Sequence, residues 1–389
     1  MTTDPFRRIV PGVLLVGALA LSGPARAQHG GHATPAPAPP ASGDHQGHQM
    51  GGSPAESSAA MQWQMYMDIG GQAYRYGLWS EAEKTFTSAV KEARTLGAND
   101  PRLAASLNNL GELYRVQGRL REAEAALREA LAIREAALGP DHVAVAETLN
   151  NLALAEQAQG RSQEAERDYR RALAIWEKAG GPEDPRVAVG LNNLAMAYWE
   201  RGDFAGAEPY FRRALAIREK LQGPENPEVA VALSNLAGAY RAQGRYADAE
   251  PLYRRALAIL ESQEPDQPGV AVVLGDLAES YRAQGRLADA DALYRRALAI
   301  WEKTVGAYHP RVATTLNGLA LVEAAEGHTA EAEALLTRAA RIYDGPAADL
   351  PESRPLHAQI LTNLARVYRD RGKSAEAAAT EARAAALTR

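Results

Sequence analysis

A pair of leucines three residues apart returns along this chain at an almost constant interval, and that interval constrains the fold more than any other feature. The pairs are Leu107 and Leu110, Leu149 and Leu152, Leu191 and Leu194, Leu233 and Leu236, Leu274 and Leu277, Leu316 and Leu319, and Leu361 and Leu364. Their spacings are 42, 42, 42, 41, 42 and 45 residues. A second marker keeps the same beat: Gly77, Gly118, Gly160, Gly202, Gly244, Gly285, Gly327 and Gly372. A fixed period of this length means a stack of small units, none of which buries its apolar face alone.

Each period reads as two helices. The first opens on a cap followed by proline, as at Asp100-Pro101, Asp184-Pro185 and Asn226-Pro227. Asp or Asn can accept from the free backbone N–H groups, and Pro suits the first helical turn. The recurrent glycine ends that helix, because it alone takes a left-handed conformation cheaply. The second helix ends near Leu138-Gly139-Pro140, Gly181-Pro182 or Gly223-Pro224. A helix breaker about every 20 residues excludes a long coiled coil, although 42 residues are also six heptads. Pro209 and Pro251 fall inside their second helices, where each removes a hydrogen bond. A late helix start or a slight bend is expected there, not a break. The apolar content of 46% is mostly Ala and Leu, with only four Phe, which favours helix over sheet.

The N-terminal segments differ in kind. Arg7 and Arg8 precede an uncharged, mostly apolar stretch from Ile9 to Leu21, and Ala25-Arg26-Ala27 offers a small-x-small cleavage pattern. Residues 1–27 are therefore expected to be a cleaved signal peptide, which sends the chain to the periplasm or outside a bacterial cell. Thirteen residues of helix cover about 20 Å, too short for a hydrocarbon core of roughly 30 Å. No later stretch approaches a membrane span. Residues 28–61 are rich in Pro, Gly, Ala, Ser and His and read as a disordered linker. His29, His32, His45 and His48 lie in it, with Met50 close behind. Such ligands suit weak copper, nickel or zinc binding, and the bland reading is a solvated linker. No other cofactor is implied. The repeat array occupies 62–389, with units starting near 62, 103, 145, 187, 229, 270, 312 and 357.

One repeat carries Leu194, Ala195, Tyr198, Gly202, Ala207, Phe211, Ala214 and Pro224, and the next Leu236, Ala237, Tyr240, Gly244, Ala249, Tyr253 and Ala256. This order resembles the tetratricopeptide repeat, and the 42-residue period is similar to the kinesin light chain type. The resemblance implies an all-α, right-handed solenoid of about eight helix-turn-helix repeats, wound as an α-α superhelix. It also implies a non-catalytic scaffold that binds a partner in a concave groove. The tyrosine is replaced by Glu156 and Glu323 in two repeats, and these are expected to be partly solvated.

Let position 7 of each first helix be the second leucine of its pair. At 100° per residue, positions 4, 7, 8 and 11 share an apolar arc of about 100°. Positions 2, 5, 6, 9, 12 and 13 share an arc of about 120° on the opposite side, which in the resembling family lines the groove. Position 6 holds Asn109, Asn151, Asn193, Asn235, Asp276, Gly318 and Asn363, and position 5 is also often Asn. Position 12 holds Arg115, Gln157, Trp199, Arg241, Arg282, Ala324 and Arg369. A row of amides can pair with the backbone of any extended peptide. Arginines in the same row favour acidic partner residues, and Trp199 could anchor an apolar one. The competing reading is that the asparagines bond neighbouring helices and set the stacking.

Other classes fit poorly. The chain has no cysteine, so thiolate chemistry and disulfides are excluded. No H-E-x-x-H, G-x-S-x-G, phosphate-loop or dinucleotide-binding pattern occurs. The net charge of −5 gives no footprint for nucleic acid, and Arg170-Arg171, Arg212-Arg213, Arg254-Arg255 and Arg295-Arg296 alternate with acids.

Overall fold

The computed structural model describes residues 54–345 and 354–388. Among these residues the secondary structure is entirely helical. Eight pairs follow one another: α1 (Pro54–Arg75) with α2 (Trp79–Leu96), α3 (Pro101–Val116) with α4 (Leu120–Leu138), α5 (Val143–Ala158) with α6 (Ser162–Gly180), and α7 (Pro185–Glu200) with α8 (Phe204–Gln222). The series continues with α9 (Pro227–Ala242) and α10 (Tyr246–Gln263), α11 (Pro268–Ala283) and α12 (Leu287–Val305), α13 (Pro310–Ala325) and α14 (Thr329–Tyr343), and α15 (Arg354–Asp370) and α16 (Ser374–Leu387). The fold class is an all-α, right-handed solenoid of helix-turn-helix repeats. The chain divides into two compact units, one ending at Asn193 and the other running from Leu194. No helix of the described residues is long and apolar enough to cross a membrane.

Local chemistry sets the helix ends. The eight periodic glycines all have φ between 70° and 86°, a region where a side chain would be strained. Asp100 and Asn226 accept from the backbone N–H two residues on, both at 2.8 Å. His142 and His309 do the same through Nδ1, each at 3.1 Å, which is the work found for these single histidines.

Small residues let the paired helices approach. Ala153, Ala195, Ala237, Ala278, Ala320 and Ala365, at position 8, are fully buried, as are Ala82, Ala123, Ala165, Ala207, Ala249, Ala290 and Ala332 of the second helices. Phe86, Tyr169, Phe211 and Tyr253 fill the space between these contacts.

Three expectations are corrected here. α8 and α10 start four residues or more before Pro209 and Pro251, so the helices neither start late nor stop. The ladder is already running at Ala207 and Ala249, so each proline removes one bond from it without ending the helix. α1 begins at Pro54, well before residue 62, since an Ala-rich segment with no large side chain still favours helix. Glu156 and Glu323 are not partly solvated: they are only 1% and 4% exposed. Arg212 donates to the Tyr240 hydroxyl at 2.7 Å and Arg254 to that of Tyr281 at 3.0 Å. Arg128 and Arg295, at the same place in their helices, meet Glu156 and Glu323 instead. An arginine at this place, itself half-exposed, thus accommodates either an aromatic hydroxyl or a buried carboxylate.

Candidate functional site

In the unit that starts at Leu194, a cavity of about 540 Å³ opens on the first helices. From α11 it is lined by Ala271, Val272, Gly275, Asp276, Glu279, Arg282 and Ala283. All but Ala271 are positions 2, 5, 6, 9, 12 and 13, the polar arc of the helical projection. α13 adds Thr314, Asn317, Gly318 and Leu321, α15 adds Gln359, Asn363 and Arg366, and α12 contributes Tyr294 and Trp301 from the side. A volume of this size suits a small ligand or a few side chains of a partner.

The asparagines mostly bond to one another. Asn151 Nδ2 donates to Asn108 Oδ1 at 3.2 Å, Asn193 to Asn150 at 2.9 Å and Asn363 to Asn317 at 2.8 Å. Position 6 of one repeat is thereby tied to position 5 of the repeat before, which forms the rungs of an amide ladder. Asn109, Asn151 and Asn193 stay half-buried, whereas Asn235 and Asn363 are 1% and 4% exposed. The last two present almost no surface to a partner.

Two rungs depart from this pattern. Ser234 and Asp276 face each other in the register without a bond, Ser234 Oγ and Asp276 Oδ2 both lacking a partner, and the next rung is missing altogether, its two positions being Gly275 and Gly318. A Cβ on Gly275 would meet nothing within 4 Å, but one on Gly318 would lie 2.6 Å from the Tyr294 ring. Tyr294 fills half of the vacated space, and its hydroxyl donates to Glu279 at 2.9 Å. The other half is open to the cavity.

The arginines at position 12 are committed within the chain. Arg115 grips Glu112 through two bonds of 2.8 and 2.6 Å, and Arg282 grips Glu279 at 2.9 and 2.6 Å. Arg369 pairs with Glu381. Arg241 donates to the Tyr253 hydroxyl at 3.3 Å and stands 3.7 Å from Asp276. Trp199 is 8% exposed, packs edge-on against Phe204 and sits against Gly238 of α9, so its ring is largely spent on packing. Two arginines not foreseen in the sequence line the cavity: Arg311 and Arg366, both exposed and neither in an ion pair among the described residues. Arg366 occupies position 9 of the same arc. Arg311 lies before the numbered positions, in the first turn of α13, and no periodic signal marks it. His29, His32, His45 and His48 lie outside the described residues.

Burial sets the ionisation of two acids. The carboxyl of Asp276, 3% exposed, is pushed up to about 7 by burial despite the opposing charges of Arg241 and Arg311. Burial, with Asp168 beside it, also lifts Glu156 to about 7. For Glu279 burial opposes ionisation, but the Arg282 bonds prevail and hold it below the usual carboxylate range. A raised folded-state value means stability that is complete below the unfolded value and is lost as pH rises through the folded one. Asp276→Asn is expected to remove part of the fall in melting temperature between pH 5 and pH 8, on the order of 3 °C. Thermal melts of both proteins at matched ionic strength check this; parallel pH profiles would refute it.

The fold and the polar arc define a class: a helical-repeat protein whose repeated geometry is a face of its first helices. Comparison with known proteins agrees. The tetratricopeptide repeat profile matches residues 64–136, 103–178, 144–220, 186–262 and 269–344, and a second tetratricopeptide repeat profile matches 358–380. The chain belongs to the tetratricopeptide repeat family. Proteins of this family are characteristically non-catalytic scaffolds, and this chain is one. Among solved structures, it is similar to a signal transduction ATPase with a tetratricopeptide repeat sensor from Pyrococcus horikoshii, at 15% identity and TM-score 0.62. That match covers 84% of this chain and 47% of the other. A tetratricopeptide repeat protein from Parabacteroides merdae matches at 19% identity and TM-score 0.51, over 74% of this chain and 96% of that one. Putative kinesin light chain repeats from Podosopora anserina match at 29% identity and TM-score 0.48, over 52% and 97%. No curated protein matches the chain.

Proposed function

We propose that this chain holds an extended, acidic segment of a partner protein along the face made by its first helices. The supporting observation is the cavity on that face, in which Arg311 and Arg366 are exposed and, among the described residues, neither forms an ion pair with a carboxylate, although the charge of Arg311 is felt by Asp276. Arginine forks favour carboxylates, and burying an unpaired one would be costly, so an acidic partner completes them. In the other unit, the half-buried amides of Asn151 and Asn193 occupy the equivalent position of their own first helices. Each donates one proton to its rung and retains an acceptor for a peptide backbone. The family reading takes this face as its groove, and the 42-residue period favours the kinesin-light-chain-like type. The apolar run Ile9–Leu21 and Ala25-Arg26-Ala27 favour export to the periplasm or beyond.

The test is binding of fluorescent dodecapeptides, acidic and basic sets compared, to the full chain and to Arg311→Glu/Arg366→Glu. The acidic set is expected to bind more tightly, and the double charge reversal to weaken it at least tenfold and lower its salt dependence. Equal binding of both sets, or no effect of the reversal, would falsify the reading.

A further inference from the structure

We infer that the Asp276 end of the cavity receives a lysine-like primary amine from the bound partner; this rests on the peptide reading above and specifies one of its side chains. Asp276 is 3% exposed, lines the cavity, and its Oδ2 makes no hydrogen bond. An acceptor buried without a donor is costly, so a ligand that supplies the donor is favoured. The other carboxylate of the cavity has no such vacancy, since Glu279 already takes two bonds from Arg282 and one from Tyr294. Arg241 does not complete Asp276: its Nη2 stands 3.7 Å from Oδ1 and is itself without a hydrogen bond.

Shape narrows the donor. The open half of the missing rung lies beside Gly275, next to Asp276 in the chain, and it admits a thin aliphatic stem. Val272, Leu321 and Leu356 supply apolar walls for methylenes. With one oxygen vacant, a point-like ammonium fits better than a guanidinium, whose two parallel donors want two acceptors. Arg282 is neutralised by Glu279, while Arg311 and Arg366 are exposed and face the acidic flanks of the partner. A lysine set among acidic residues therefore matches both charges of the cavity.

The experiment uses the full chain with labelled methyl groups. n-Butylamine, the amine with a lysine-like stem, is titrated while the methyl resonances of Leu321 and Leu356 are followed; butyrate is the control. Saturable shifts with the amine alone are expected, absent in Asp276→Asn and in Gly275→Leu, which plugs the space and keeps the carboxyl. An acidic dodecapeptide with a central lysine should then bind about tenfold more tightly than its norleucine analogue, and Asp276→Asn should equalise the two. Equal affinities with unmoved methyls overturn the amine site, water being sufficient for Asp276, and leave the peptide reading intact. Amine shifts with neither peptide bound support the amine site and sink the peptide reading.

Discussion

Tyr253→Ala is expected to lower the stability of the unit that starts at Leu194 by about 3–5 kcal/mol. The side chain is fully buried among α9, α10 and α11 and is among the largest in the core. Its removal costs the apolar contacts and leaves a cavity. It also strips the buried Arg241 guanidinium of the one acceptor it bonds among the described residues. Tyr253→Phe separates these contributions, since it keeps the volume and loses only the acceptor, at about 1–3 kcal/mol. A repeat stack need not unfold in one step, so amide hydrogen exchange is the suitable measurement. Protection should fall most in α9 to α12. A uniform fall across both units, or none, would contradict the packing described.

The glycines of the missing rung are expected to respond to the same substitution with opposite signs. Gly275→Ala meets open space on a helix, where alanine is preferred by about 0.5–1 kcal/mol. It should stabilise the protein. Gly318→Ala would place a methyl 2.6 Å from the Tyr294 ring, and the ring must move. That shift breaks the bond from Tyr294 to Glu279 and should cost about 1–3 kcal/mol. Urea unfolding of the two variants, side by side with the parent, reads the difference directly. Two changes of the same sign would mean that Tyr294 is not held where it is described.

Much of this was legible in the sequence because a solenoid repeats its local rules. The glycines with positive φ marked the helix ends, and 100° per residue placed Val272, Gly275, Asp276, Glu279, Arg282 and Ala283 on one face. What periodicity could not reveal was pairing between repeats. Whether Asn363 faces a peptide or Asn317 depends on two helices 46 residues apart, and no spacing within one helix decides it. The burial of Glu156 was hidden for the same reason, since Arg128 reaches it from the preceding repeat. Arg311 escaped because it precedes the positions that repeat. Composition likewise concealed the start of α1, where alanine serves helix and linker equally well.

The missing rung has a consequence for how a long ligand is positioned. A strand lying along a row of identical amides could slide by one repeat and meet the same donors and acceptors again. Such a surface holds its cargo but does not fix its phase. Gly275 and Gly318 would lift that degeneracy, because there the row yields a depression with a buried acid at its edge. A segment with one side chain shaped for that depression has a single place to stop, and the rest of the row then measures length from it.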